Sequence, residues 1–477
     1  MIGFILMCLL AVFIGTVAAR TACFKPRPQP VPQAEPICFD QDAAVDALAR
    51  MIRCRTISNA DPAKEDDAQF QQLIGLLPQL YPHVFKTCDF QQLPDRALLF
   101  RWPGKTAGDP AVLMAHYDVV PVNEENWEKP PFAGIIENGY LWGRGTLDTK
   151  STVNGVLYSA NHLIAEGFQP EHDIYFAFSG AEEVSGMGAP NIVQYFVDQG
   201  LTPSIVVDEG GAVVENVFPG VKQACAVIGI AEKGFLNARY KTVSAGGHAS
   251  APKPHTPVGI LAAACKKVED HPFPMHMTKP AEEMFDTLGR HSTLLYRMIF
   301  ANLWCFGWVL DLLGRKSGGE INALLRTTSA FTQMEGSSAS NVIPPEATMV
   351  ANMRLNPTDS IASALEYLKK TVNDPAVEIT ADEAFEPSRV SRTDCAAWDI
   401  LAQTVSETWP GVIVTPYLMV ACSDARHWGR ISDKVYRFCP MEMSSEDRAS
   451  IHGNNERIRL DCIAQAVEFY IRLMKKL

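Results

Sequence analysis

"AVLMAHYDVVPV", residues 111–122, begins as a strand and ends as something else. Ala111 to Ala115 form an unbroken apolar run of the kind that fills a buried sheet. His116, Tyr117 and Asp118 follow before the chain turns apolar again. In α/β sheets, ligands gather beyond the carboxyl ends of the strands, so two titratable groups delivered to that end mark a candidate site.

Other stretches repeat the device. "DIYFAFSG" (173–180) is a second apolar strand running into Glu182 and Glu183, and "SIVVDEG" (204–210) is a third that carries Asp208. Asp148 lies in "LWGRGTLDTK" (141–150), a Gly-rich turn ahead of a helix whose apolar positions Val153, Leu157, Ala160 and Ile164 keep helical spacing. Val45, Leu48 and Ile52 mark an earlier amphipathic helix; Ile463, Val467, Tyr470, Ile471 and Met474 line a terminal one. Strands alternating with helices predict an α/β fold with a mixed sheet. Taken singly, His116, Asp148, the Glu182–Glu183 pair and Asp208 have ordinary readings as caps, turns or a solvated face. At one edge of one sheet, imidazole and carboxylate without thiolate form the ligand set of a hydrolytic zinc or similar divalent site.

A chain of 477 residues is too long for one core. Residues 41–226 and 389–477 read as two parts of one α/β catalytic domain. Residues 227–388, with strand alternation in "AEKGFLNARYKTVSAGGHAS" (231–250) and "EATMVANMRLNP" (346–357), read as an inserted α+β lid. Within it, "LLYRMIFANLWCFGWVLDLL" (294–313) is interrupted by Arg297, Asn302 and Asp311 and reads as a buried or surface-docking helix rather than a second span. It suits lid core, a dimer contact or an acyl-chain groove.

Residues 1–40 stand apart. The first 19 carry no charged side chain, so residues 2–19 suit a membrane anchor or a signal peptide, and "KPRPQPVPQAEP" (25–36) reads as an extended stalk. The protein is therefore expected to be membrane-associated or secreted. The formal charge of −12 argues against nucleic acid or an anionic membrane as partner. Twelve cysteines, scattered singly, suit free thiols better than a zinc knuckle or a disulfide scaffold.

"MAHYDVVPV", "GYLWGRGTLDTK", "SGAEEVSG" and "VVDEGG", with the W-x-x-PPF-x-G spacing from Trp127, resemble the co-catalytic zinc metallopeptidases of the aminoacylase and carboxypeptidase-S type. The nearest branch is the Gly-X carboxypeptidase and N-fatty-acyl-amino-acid synthase/hydrolase group, and the similarity runs from about residue 40 to the end. The resemblance implies two Zn²⁺ per chain, with Co²⁺ or Mn²⁺ as substitutes. His116, Asp148 and Asp208 would surround one ion; Asp148, Glu183 and His452 would surround the other, with a cis bond after the bridging Asp148. Asp118 would orient His116, and Glu182 would move the proton in amide hydrolysis. In the lid, His248 would reach the oxyanion, often across a dimer interface, while Asn341 and Arg354 would lie near substrate. Arg426 is a second candidate for holding an α-carboxylate. The implied activity is release of a C-terminal amino acid from short peptides, with hydrolysis of N-acyl amino acids as the alternative, by a homodimer or a monomer. Thr149, Ser151 and "ACSDARH" (421–427) depart from the commoner family pattern, which bears on substrate preference.

Overall fold

The computed structural model describes residues 1–27, 34–216, 218 and 220–477; the middle of the expected stalk, 28–33, lies outside them. The apolar runs form an eight-stranded mixed sheet. Its order is Asp89–Leu93, Ala97–Trp102, Ile174–Ser179, Ala111–His116, Ile205–Val214, Val435–Met443, Cys225–Glu232, Ile413–Met419. Ala111–His116 pairs in parallel with both its neighbours, Ala111 lying opposite Ile174 on one side and Ile205 on the other. Three consecutive strands therefore end at the same edge.

Period-2 alternation feeds two cores. Leu113 and Ala115, with Phe176 and Phe178, face the helices Lys150–Ala165 and Leu460–Met474. Val112, Met114, Tyr175 and Ala177 face Ile192, Val193 and Phe196 of Gly188–Asp198. Helices on both faces explain why Ala111–His116 and Ile174–Ser179 are buried at every residue.

A second, four-stranded antiparallel sheet has the order Thr328–Glu335, Glu346–Leu355, Gly234–Val243, Glu378–Phe385. Helices Pro257–Asp270 and Ile361–Val372 cover one face of it. The lid expected at 227–388 differs from this in two respects. Cys225–Glu232 pairs in parallel with Ile413–Met419, so the catalytic sheet runs through residue 227 and the lid sheet begins only at Gly234. Ala281, Met284, Phe285, Leu288, Leu324 and Leu325 pack with Tyr417 and Leu418 of the catalytic edge strand, not with the lid core.

The single helix expected at 294–313 is two, Leu294–Ala301 and Leu303–Ser317, bent by 114°. Asn302 occupies the break, fully buried, and its amide donates to the Met298 carbonyl at 2.9 Å. The N-terminal segment is one helix, Ile2–Cys23, long and apolar enough to cross a membrane.

Candidate functional site

Asp118 organises the edge where the strands end. It is fully buried. One carboxylate oxygen accepts the Glu182 N–H at 3.1 Å, and the other accepts the Glu183 N–H at 3.1 Å and the Ser58 hydroxyl at 2.7 Å. His116 Nδ1 lies 3.1 Å from the Asp118 carbonyl oxygen and 3.4 Å from its Oδ1. The two titratable groups on one strand end thus form a unit, Asp118 fixing the His116 ring and the backbone that carries both glutamates. The turn into that backbone needs glycine: a Cβ on Gly180 would sit 2.6 Å from the Tyr117 hydroxyl oxygen. Tyr117 is buried and donates to the Arg96 carbonyl at 2.6 Å, a packing role.

Nε2 of His116 faces the other way, 2.9 Å from Asp148 Oδ1. The second Asp148 oxygen lies 3.0 Å from His452 Nε2, which is itself 3.0 Å from Glu183 Oε2. Asp148 therefore stands between two imidazoles, one on each carboxylate oxygen, and the Asp148–Thr149 bond is cis. His452 sits at φ +59°, a strained setting for a non-glycine residue.

Glu456, which the sequence reading passed over, locks the two loops together. Its buried carboxylate accepts Arg144 Nη1 at 2.7 Å and the Leu147 N–H at 2.7 Å, while Arg144 Nη2 donates to the Gly453 carbonyl at 2.6 Å. One ion pair thus holds the Asp148 turn against the His452 loop. Glu456→Ala leaves Arg144 buried and unpaired, at an expected cost of about 3–5 kcal/mol. Denaturant unfolding should show that loss, together with reduced activity in the protein that remains folded.

Residue types whose donor atoms fall within 4.8 Å of one another form two groups among the described residues, His116–Asp148–Glu183 and His116–Glu182–Glu209. Asp208, expected at this position, is in neither. Glu209 Oε1 lies 3.4 Å from His116 Nε2, whereas Asp208 is buried with Oδ2 unpartnered. Strand pairing explains the difference: Arg437 lies opposite Asp208 but Phe438 opposite Gly211, so regular alternation breaks at Glu209–Gly210. The signal was present, because "VVDEGG" carries adjacent acids as "SGAEEVSG" does.

The cluster is short of positive charge. Glu183 Oε1, Asp208 Oδ2 and both oxygens of Asp424 are buried without a hydrogen-bond partner, and buried acceptors left unpaired are costly. Burial, reinforced by neighbouring acids, pushes Glu182 well above the carboxylate range, Asp208 to about 7, Glu209 to about 8 and Asp424 to about 6. Asp148 is the exception: burial would raise it, but the hydrogen bonds to His116 and His452 hold it well below its usual value. Hydrogen bonds to Asp148 and Glu183 lift His452 to about 10. Orphaned carboxylate oxygens converging with two imidazoles, and no thiolate among them, fit a divalent cation site.

The lid residues stand differently. His248 and Asn341 are exposed at a two-stranded ribbon in which His248 pairs with Val342. His248 Nδ1 lies 2.7 Å from the Ser250 hydroxyl, and among the described residues its hydrogen bonds stay within the ribbon, away from the cluster. Arg354 and Arg426 are half-buried at the junction of lid and catalytic sheet, over Phe235 and Phe385, two rings stacked at 5.5 Å. Arg354 donates to Cys422 Sγ and Arg426 to the Ser423 carbonyl; among the described residues neither meets a carboxylate at ion-pair distance.

A mixed α/β sheet that aims histidines and acids at one edge, beneath an inserted lid, defines a metal-dependent hydrolase. The comparisons agree: the model for "Peptidase family M20/M25/M40" matches residues 112–476, and the chain belongs to that family. It is 35% identical over 437 residues to "Probable carboxypeptidase S-like 2" of Dictyostelium discoideum, covering 90% of this chain and 84% of that one. It is 36% identical over 437 residues to "N-fatty-acyl-amino acid synthase/hydrolase PM20D1" of Xenopus tropicalis, covering 90% and 85%. The fold matches the M20 family metallo-carboxypeptidase Sso-CP2 from Sulfolobus solfataricus, with a TM-score of 0.66 at 17% identity over 92% of this chain and 99% of that one.

Proposed function

We propose that the chain is a dinuclear zinc amidohydrolase that releases an amino acid bearing a free α-carboxylate, acting as a carboxypeptidase on short peptides. His116, Asp148, Glu183 and His452 would hold the cations, with the acid pair Asp208–Glu209 completing the set on the His116 side. A divalent cation held by these residues would supply a Lewis acid for the amide carbonyl and for water. Glu182 takes the proton of the attacking water and returns it to the leaving nitrogen. Asp118 keeps Glu182 and His116 in register for that transfer. His248 is exposed, so its part in holding the oxyanion belongs to a closed lid or to a partner copy.

The observation that carries the substrate end is a pair of arginines that, among the described residues, meet no carboxylate at ion-pair distance. A guanidinium held over an aromatic ring, with its hydrogen-bonding fork unpaired by any acid, suits a substrate carboxylate. Arg426 and His116 both favour the charged form of the buried Asp424 carboxyl, which links Arg426 electrostatically to the cluster. Removing a hydrogen bond to a charged group costs about 1.5–3 kcal/mol. Arg354→Ala and Arg426→Ala should therefore each lower kcat/KM about 10- to 150-fold, mainly through KM, on substrates with a free carboxylate. C-terminally amidated substrates should be poor for the native chain and no worse for the variants. Equal cleavage of acid and amide by the native chain would overturn the carboxylate reading.

The second reading, hydrolysis of N-acyl amino acids, is favoured by the relative named for N-fatty-acyl-amino acid synthase and hydrolase activity. It uses the same arginines and the same proton transfer, and differs only in what the amide carbonyl carries.

A further inference from the structure

The bent helix pair 294–317 and the N-terminal helix present one continuous apolar face, and we propose that this face is seated on a lipid bilayer, the N-terminal helix crossing it and the bent pair lying in its interface. Ile2–Cys23 has 22 residues, about 33 Å at ~1.5 Å per residue, enough to cross a hydrocarbon core. Its side chains from Ile2 to Ile14 stand exposed, and burial begins only at Val17 and Thr21. There the helix is tied to the bent pair: Asn302 donates to the Val17 carbonyl at 3.3 Å and to the Thr21 hydroxyl at 3.2 Å, and Arg20 Nε donates to the Ala301 carbonyl at 3.0 Å. Wherever the N-terminal helix meets a bilayer, the bent pair meets it too.

The bent pair is built for that position. Trp304, Trp308 and Leu312 recur every four residues along one face and are 59%, 68% and 56% exposed, while Leu310 on the opposite side is buried in the core. Leu294 on the other arm is 72% exposed, and the Phe13 ring of the N-terminal helix meets the Trp304 ring edge-on at 5.7 Å. Arms of 8 and 15 residues bent by 114° are too short to span separately, and a bend of that size cannot cross as one rod. An amphipathic arm with tryptophans outward and basic residues at its end, here Arg315 and Lys316, is the form of an interfacial element. Arg20, Lys25 and Arg27 follow the apolar part of the N-terminal helix. The surface is apolar while the chain is acidic, so the partner is the acyl region of a neutral bilayer rather than an anionic headgroup. Continuity with a helix of spanning length favours a bilayer over a second copy of the chain.

Tryptophan fluorescence tests this directly, because the first tryptophan is Trp102 and the N-terminal helix contributes none. The full chain is reconstituted into phosphatidylcholine vesicles whose acyl chains carry bromine at carbons 6 and 7, and its emission is compared with that in unbrominated vesicles. The expected result is quenching in the native chain and loss of that quenching in W304F/W308F, with vesicle association and hydrolytic activity unchanged. Equal emission in both vesicle types overturns the proposal, as burial of the face against a second copy would produce. Quenching that persists in W304F/W308F overturns it as well, because another surface then faces the lipid. So does N-terminal sequencing of the cell-made protein that begins after Ala19, since the anchor beside the face would then have been removed.

Discussion

Glu182→Gln is expected to abolish nearly all turnover while leaving the protein folded. General acid–base transfer contributes about 10²- to 10⁴-fold, and loss of the group that both takes and returns the proton should sit toward the upper end, roughly 10³-fold or more. The side chain lies with His116 and Glu209 in one cluster, and its backbone N–H is fixed by Asp118 at 3.1 Å. A glutamine keeps the size and the backbone bond but cannot accept the proton. Burial already disfavours the Glu182 charge, so a neutral amide there should leave thermal stability unchanged or slightly raised. Metal content should also be unchanged, because Glu183 and His452 remain. Steady-state kinetics, melting and metal analysis on one preparation separate these effects; a variant keeping a tenth of native kcat would remove Glu182 from the proton-transfer role.

Withdrawal of metal is expected to cost both activity and stability. Asp148, Glu183 and Glu209 stand against the two imidazoles, and Glu183 Oε1 and the buried Asp208 Oδ2 have no hydrogen-bond donor. Without cations, burial and the neighbouring acids disfavour the charged forms of Glu183, Asp208 and Glu209. A cation that binds only the folded state stabilises it by about 4 kcal/mol at a thousandfold excess over Kd. For a chain of this length that corresponds to a rise in Tm on the order of 5 °C. Chelation should lower Tm by that amount, and zinc should restore it. The rise should be absent in Asp148→Ala, which removes the carboxylate lying between His116 and His452.

The sequence revealed most where chemistry and local pattern coincide. The unbroken run Ala111–Ala115 is apolar because helices cover both faces of the sheet, and its parallel register with Ile174–Ser179 brings His116 level with Ser179, just ahead of the glutamate pair. Every position expected on the buried face of the terminal helix, from Ile463 to Met474, is buried. What escaped depends on contacts distant in the chain. Arg144 and Glu456 are 312 residues apart, and nothing local to either marks the pair. The edge of the lid was misplaced because Cys225–Glu232 gains its partner, Ile413–Met419, only after the lid has been threaded. The approach of Glu209, rather than Asp208, to His116 follows from the irregular pairing opposite Arg437 and Phe438, which simple alternation does not foresee. Asn302 was visible as a polar break, yet its reason lies in a helix 281 residues earlier, at Thr21.

The most direct test is amino-acid release by the full chain from a panel of dipeptides and N-acyl amino acids, measured before chelation, after it, and after zinc is returned. The account predicts release that chelation abolishes and zinc restores, from substrates with a free α-carboxylate. Release that survives chelation, or none from any member of the panel with zinc bound, would contradict it.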